Sequence, residues 1–316
     1  MFSTPVLLII FNRPDVTFLV FERIRQMKPK FLFIAADGPR AERPGEIELC
    51  EQSRSILRKI DWPCEVKTLF RDSNVGCGLG VSGAISWFFE HTDKGIILED
   101  DCLPDPSFFY YCGELLNYYQ KEERIMHIGG NNSQFGKKRN KYSYYFSKYP
   151  HIWGWATWKR AWDNFQLDLS ETDIENETDR IFSNYIFSET EKKYWHEHFE
   201  LMKGKGLDTW DIQWTFACWK NKGVTIVPNV NLISNLGFAE NATHTQKTAS
   251  VLANVPTSRI GQLIHPPLIE IDAKADEYTF TKYNLCRPSL AQQIKISLSQ
   301  LLPKGIKKTI KNILGK

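Results

Sequence analysis

Several large protein classes are excluded by what the chain lacks. It has no long hydrophobic run: the longest early one, Pro5 to Phe11, covers only seven residues before Asn12-Arg13-Pro14-Asp15. That is too short for a membrane span or the core of a signal peptide. It has no Cys-x-x-Cys pair. The seven cysteines, at positions 50, 64, 77, 102, 112, 218 and 286, are an odd number scattered over 316 residues. A chain of this length does not need staples, so they read as reduced thiols in a cytoplasm rather than as disulfides or zinc ligands. It has little excess charge: 40 basic against 37 acidic residues give a formal +3, without the general basicity of a nucleic-acid binder. No internal repeat is present. What remains, 42% hydrophobic and 24% charged, is the composition of a globular chain with a sizeable core.

Hydrophobic patterning gives the organisation. Pro5 to Phe11 and Phe31 to Ala36 are continuous apolar runs of strand length, the pattern of strands buried on both faces. Between them Phe18, Phe21, Ile24 and Met27 recur at helical spacing, with Pro14 and Asp15 suited to a first turn. A helix around Glu46 to Ile60, a strand from Cys64 to Phe70, a glycine-rich turn and a helix near Val81 to Phe89 follow, and Gly95 to Leu98 is a fourth buried strand ending in acids. This alternation predicts a parallel-centred α/β sheet, whose ligands sit beyond the carboxyl ends of the strands. The second half is less regular. Ile125 to Ile128 and Tyr142 to Phe146 look extended, the cluster Trp153-Gly154-Trp155 to Trp158 leads into a helix, and 168–179 is an acidic solvated stretch. Trp210 to Asn221 reads as a helix and Gly223 to Pro228 as a strand, followed by a loop through His244.

The residues after each strand are the chemical candidates. Glu99-Asp100-Asp101 is the sharpest signal: adjacent carboxylates at the end of a buried strand repel one another, and a hard divalent cation compensates them most cheaply. The alternative is a solvated acidic turn capping the helix that begins near Pro104. Asp37-Gly38-Pro39-Arg40 is either ordinary turn chemistry or an aspartate placed to accept hydrogen bonds from a base or ribose. Arg13 is either a surface ion-pair partner or a phosphate contact. Asn74-Val-Gly76-Cys-Gly78-Leu-Gly80 lets a backbone approach a nucleotide, but its third glycine comes one residue too early for the dinucleotide fingerprint, which disfavours a redox enzyme. Later, Asp208 and Asp211 stand beside Trp210 and Trp214 at a helix start, as a general base or as helix caps. His244 lies in a polar loop, as a ligand or a solvated residue.

Taken in order over residues 5 to 245, these segments resemble the bacterial GT-A-fold nucleotide-diphospho-sugar glycosyltransferases similar to N-acetylglucosaminyltransferase I. Pro5 to Arg13 looks like that family's first strand, Ala36-Asp37 like its second, and Glu99-Asp100-Asp101 followed by Pro106-Ser-Phe108-Phe109 like its metal motif and following helix. Gly154-Trp155 and Trp210-Asp211 resemble its acceptor-side and catalytic segments, although Ile212 stands where the family has a second aspartate. The resemblance implies an α/β GT-A fold, Rossmann-like, with a mixed and mostly parallel sheet flanked by helices. It implies Asp101 and His244 as ligands of Mn²⁺ or Mg²⁺, and Asn12, Arg13, Asp37, Asn74, Gly76, Asp100 and Trp155 around a nucleotide-sugar. Asp211, with Asp208 as the alternative, would be the base of an inverting transfer to a saccharide or lipid-linked acceptor. The rivals are a non-catalytic carbohydrate-binding protein on the same fold and a metal-dependent nucleotidyltransferase. The latter normally carries a glycine-rich basic segment where Phe11-Asn12-Arg13-Pro14 stands.

The expected organisation is a glycosyltransferase domain over 1–250, with a nucleotide-sugar half over 1–125 and an acceptor half over 126–250, then an extension over 251–286. Residues 287–316 carry seven of the basic groups and no acid, leaving 33 basic against 37 acidic residues before them. Their apolar positions recur at helical spacing in two segments separated by Pro303 and Gly305. Such a tail reads as an amphipathic helix on the inner face of an anionic membrane, or as a terminal helix packed on the domain.

Overall fold

In the computed structural model, residues 2–203, 207–238 and 253–286 are described; His244 and the tail 287–316 lie outside them. Among the described residues ten strands form, β1 (Val6–Ile10), β2 (Phe31–Ala36), β3 (Glu65–Phe70), β4 (Lys94–Glu99), β5 (Cys102–Pro104), β6 (Ile125–Gly129), β7 (Tyr144–Ser147), β8 (Trp155–Trp158), β9 (Val224–Pro228) and β10 (Ile233–Asn235). The helices are α1 (Pro14–Met27), α2 (Glu46–Arg54), α3 (Cys77–Phe89), α4 (Pro106–Tyr118), α5 (Lys159–Trp162), α6 (Ile174–Asn184), α7 (Glu189–Lys203), α8 (Asp211–Lys220) and α9 (Ala273–Cys286).

Eight strands make one sheet in the order β3-β2-β1-β4-β8-β6-β9-β7. The first four run parallel, β8 is inserted antiparallel between β4 and β6, β9 is parallel to β6, and β7 closes the edge antiparallel. This is the mixed, mostly parallel α/β sheet that the sequence predicts. Alternation along β1 explains why its run is unbroken. Val6, Leu8 and Ile10 enter the core beneath α1 and α4, while Leu7 and Ile9 enter the core beneath α3 and α5 to α8. A strand covered on both sides has no polar face to show.

Two local departures matter for the site. The aromatic cluster leads into a helix as expected, but Trp155 to Trp158 is itself a strand and α5 after it has only four residues. A second, two-stranded sheet pairs β5 with β10, Cys102 opposite Asn235. It carries the acids that end β4 against the segment Asn235 to Gly237, and the Leu236 amide donates to the Asp101 carbonyl at 2.8 Å. The segment 253–286 returns to the sheet edge. Asp272 N donates to Phe146 O at 2.9 Å, and α9 packs beside β7.

Candidate active site

The carboxyl ends of β1, β2 and β4 meet at one edge of the sheet. Arg13, just after β1, is the hub: its guanidinium pairs with Asp100 and, at 3.0 Å, with Asp101. Asp100 also accepts from the Phe11 amide at 3.3 Å. Arg13 is thus the shared partner of both aspartates, with its side chain 26% exposed. Its two carboxylate neighbours outweigh burial and hold it more firmly protonated than an ordinary arginine. Asp100, 3% exposed, faces inward onto Arg13 and Phe11. That carboxylate ties β4 to β1.

Three acids against one arginine leave negative charge over. Glu99 shows it: burial first, then Asp101 and Asp100, push its carboxyl up to about 8. Among the described residues no three His, Cys, Asp or Glu side chains converge as a ready metal cage. A magnesium-like ion does not require one, since it is commonly held by one or two carboxylates together with substrate phosphates. Asp101 is the less buried of the two aspartates, its side chain 17% exposed against 4% for Asp100. Gly237 lies so close that a Cβ there would come 2.2 Å from Asp101 Oδ2. This donor set, an uncompensated acid cluster with one accessible carboxylate, fits a divalent cation.

Asp37, after β2, accepts from the amides of Gly38 (2.9 Å) and Val75 (3.2 Å) and from Asn74 Nδ2 (2.8 Å). Burial outweighs these bonds and keeps its carboxyl above the usual range. The two predicted nucleotide contacts Asp37 and Asn74 therefore bind each other, joining the β2 and β3 turns into one rim. Asn12 donates to Glu46 Oε1 at 2.8 Å, and Arg40 pairs with the same carboxylate. Glu46, 5% exposed, is a site-shaping residue the sequence reading missed. Its signal was an acid in the first turn of a helix beside Arg40, a pattern common enough to pass unnoticed.

The second half contributes two aspartates with different occupations. Asp208 caps α3 from 130 residues away: its carboxylate accepts from Cys77 N at 2.8 Å and Gly78 N at 2.7 Å. Gly76 makes this possible, having φ +89° and room for no Cβ, which would meet Asp208 Oδ2 at 2.5 Å. Accepting two amides at the positive end of a helix gives Asp208 a structural role. Asp211 begins α8 and accepts from Thr209 Oγ1. It lies in electrostatic range of Glu99, and Glu99, Asp208, Asp211 and Asp101 together add to the burial that raises the Cys77 thiol. Cys77, at the start of α3, is another residue the sequence reading did not single out.

Asp211 also lines a cavity of about 80 Å³ with Trp153 and Tyr194. Trp155 does not reach it. At 1% exposure it stacks on His127 (4.7 Å) and Trp210 (5.6 Å) inside the core. Trp158, 3% exposed, is likewise core.

The chain matches no family model and no curated protein. Among solved structures, a UDP-glucose pyrophosphorylase complexed with UDP-glucose is 9% identical, aligning 70% of this chain with 89% of that one at a TM-score of 0.34. A 4-diphosphocytidyl-2C-methyl-D-erythritol synthase from Anaerococcus prevotii is 9% identical over 62% and 84%, with a TM-score of 0.30. HddC from Yersinia pseudotuberculosis is 9% identical over 52% and 80%, also at 0.30. Likeness at this level transfers neither activity nor ligand.

Proposed function

We propose that the chain is a metal-dependent glycosyltransferase that moves a sugar from a nucleotide-diphospho-sugar, taken here to be a UDP-sugar, to a saccharide or lipid-linked acceptor with inversion. One observation carries this reading: Asp211, the first residue of α8, lies on the wall of an aromatic-lined cavity and within electrostatic reach of the acids that end β4. A carboxylate between a charged donor edge and a separate cavity is positioned for proton removal. Asp211 takes the proton of an acceptor hydroxyl, and that oxygen bonds to the anomeric carbon as the bond from that carbon to the diphosphate oxygen breaks on the opposite face. Asp208 is engaged as the α3 cap, which favours Asp211 as the base. Arg13 keeps Asp100 and Asp101 in register, and the Asp37–Asn74 rim bounds the nucleotide end. Asp101 would hold a Mn²⁺ or Mg²⁺ ion, which when bound supplies positive charge against the departing nucleoside diphosphate.

The test is UDP release from a panel of UDP-sugars with Mn²⁺ and saccharide acceptors. Pyrophosphate formation from UTP and a sugar 1-phosphate would replace this reading with a nucleotidyltransferase. Saccharide binding without any turnover would replace it with a binding protein. The tail 287–316 is proposed to lie on an anionic membrane, so its deletion should release the protein from anionic liposomes. Among the described residues no helix is long and apolar enough to cross a membrane.

A further inference from the structure

We infer that the cavity beside Asp211 is the seat of one pyranose ring of a neutral saccharide, and that α9, in the segment after residue 250, supplies part of its specificity. The cavity opens among the loop after β7, α7, α8 and α9. Its lining combines the aromatic residues Trp153, Tyr194 and Phe280 with Thr215, Thr279 and Asp211. Flat apolar faces with a few placed oxygens suit the alternating C–H faces and equatorial hydroxyls of a sugar. They suit a phosphate poorly, since the carboxylate would repel it. About 80 Å³, at roughly 10–15 Å³ of such space per water, holds about six waters, close to the bulk of one hexose.

The contribution of α9 is built in rather than incidental. Asp276 accepts from Ser147 Oγ and from the Lys148 amide at 3.0 Å, fastening the helix to the end of β7. Gln134 Nε2 donates to Thr279 Oγ1 at 2.7 Å and to the Ala275 carbonyl at 3.2 Å. Phe280 meets the Tyr194 ring edge-on at 5.6 Å. Thr279 and Phe280 are thereby fixed on the cavity wall by contacts to the sheet edge and α7. Calling the ligand an acceptor rests on the glycosyltransferase reading; the saccharide site itself does not.

The experiment is saturation-transfer NMR of the full chain with the methyl α- and β-glycosides of glucose, galactose, mannose and N-acetylglucosamine, with UDP plus Mn²⁺ titrated by calorimetry as the control ligand. At least one glycoside should bind. Phe280→Ala should weaken it about tenfold or more, as expected for loss of an aromatic anchor, while UDP affinity stays within twofold. Trp153→Leu, which keeps an apolar side chain on the cavity wall, should also weaken it and covers the case in which Phe280→Ala folds poorly. No binding by any glycoside, or equal binding by wild type and both variants, overturns the inference. Glycoside binding that the variants weaken, in a protein that turns over no UDP-sugar, keeps this site and overturns the glycosyltransferase reading. Transfer from a UDP-sugar with an acceptor KM indifferent to both variants does the reverse.

Discussion

The two sides of the candidate site are built by opposite means. On the side of β1, β2 and β4 the functional groups are charged, follow directly after strands, and are held by one another: Arg13 by Asp100 and Asp101, Asn12 by Glu46, Asp37 by Asn74. On the other side the groups are aromatic, come from a loop and three helices, and stand on a core of stacked tryptophans, Trp155, Trp162, Trp210 and Trp214. Charge at a strand end is preorganised by pairing, so removing one member changes ligand affinity more than fold. Aromatic packing is preorganised by volume, so removing one member changes the fold first. The two sides should therefore fail in different observables.

The largest failure is expected at Trp155. Trp155→Ala should cost about 3–5 kcal/mol, as deletion of a buried indole usually does, lowering the urea midpoint. Trp153→Ala, at the cavity wall, should leave that midpoint nearly unchanged. Unaltered stability in Trp155→Ala with weakened donor binding would return Trp155 to the ligand side. Next in size, Asp211→Asn should cut transfer about 10²- to 10⁴-fold through kcat, with urea unfolding and donor KM preserved. A rise in KM at constant kcat would make Asp211 a binding residue.

A smaller effect probes how tightly Asp101 is held. Gly237→Ala should push on Asp101 Oδ2, which a Cβ would approach to 2.2 Å. Disturbing the surroundings of a metal ligand typically costs about 10- to 100-fold in metal affinity, so Mn²⁺-dependent UDP binding should weaken by that order in calorimetry. Unchanged binding would separate Asp101 from the metal.

The same asymmetry decided what could be read from the sequence. β1, β2 and β4 were legible because strands covered on both faces become unbroken apolar runs, and the acids after β4 stand out against such a run. β8 was not: Trp155-Ala-Thr-Trp158 is also buried on both faces, but it is short and aromatic, and its antiparallel place between β4 and β6 depends on partners far along the chain. The cap of α3 by Asp208 spans 130 residues, a distance no local pattern encodes. The fold class was thus readable, and so was the acid edge. The cavity was not, since it is assembled from α7, α8, α9 and a loop, of which only the start of α8 carries a recognisable segment.

Acid should expose a difference between the two sides as well. His127 is pushed down to about 3, mainly by burial, and His151 to about 4. His127 Nε2 hydrogen-bonds the His151 carbonyl at 3.0 Å, while Trp214 Nε1 donates to His127 Nδ1 at 3.1 Å, an arrangement that needs a neutral ring with the proton on Nε2. The unfolded chain takes up its proton near pH 6.5 and the folded one only near 3, so stability from this group is present above 6.5 and is lost as pH falls. Glu99 and Asp276, raised to about 8 and about 7, act with the opposite sign, gaining stability as pH falls toward the ordinary carboxylate range. Comparing wild type with His127→Gln isolates the histidine. The wild-type advantage should shrink by about 1.4 kcal/mol per pH unit below 6.5, and a constant difference would mean that His127 titrates normally.

The smallest effect bears most directly on the two aspartates. If Asp208 is the cap of α3, its loss is a stability event: Asp208→Ala removes the acceptor of the Cys77 and Gly78 amides and should cost about 1 kcal/mol. For a chain of this size that is a fall in Tm of about 2–4 °C. Transfer should drop less than tenfold, because the helix persists and Asp211 remains in place. Asp208→Asn should recover part of the Tm, since its side-chain oxygen still accepts one amide, without changing turnover. A loss of turnover in Asp208→Asn comparable to that of Asp211→Asn, with Tm intact, would give Asp208 the proton and leave Asp211 as the first residue of a helix.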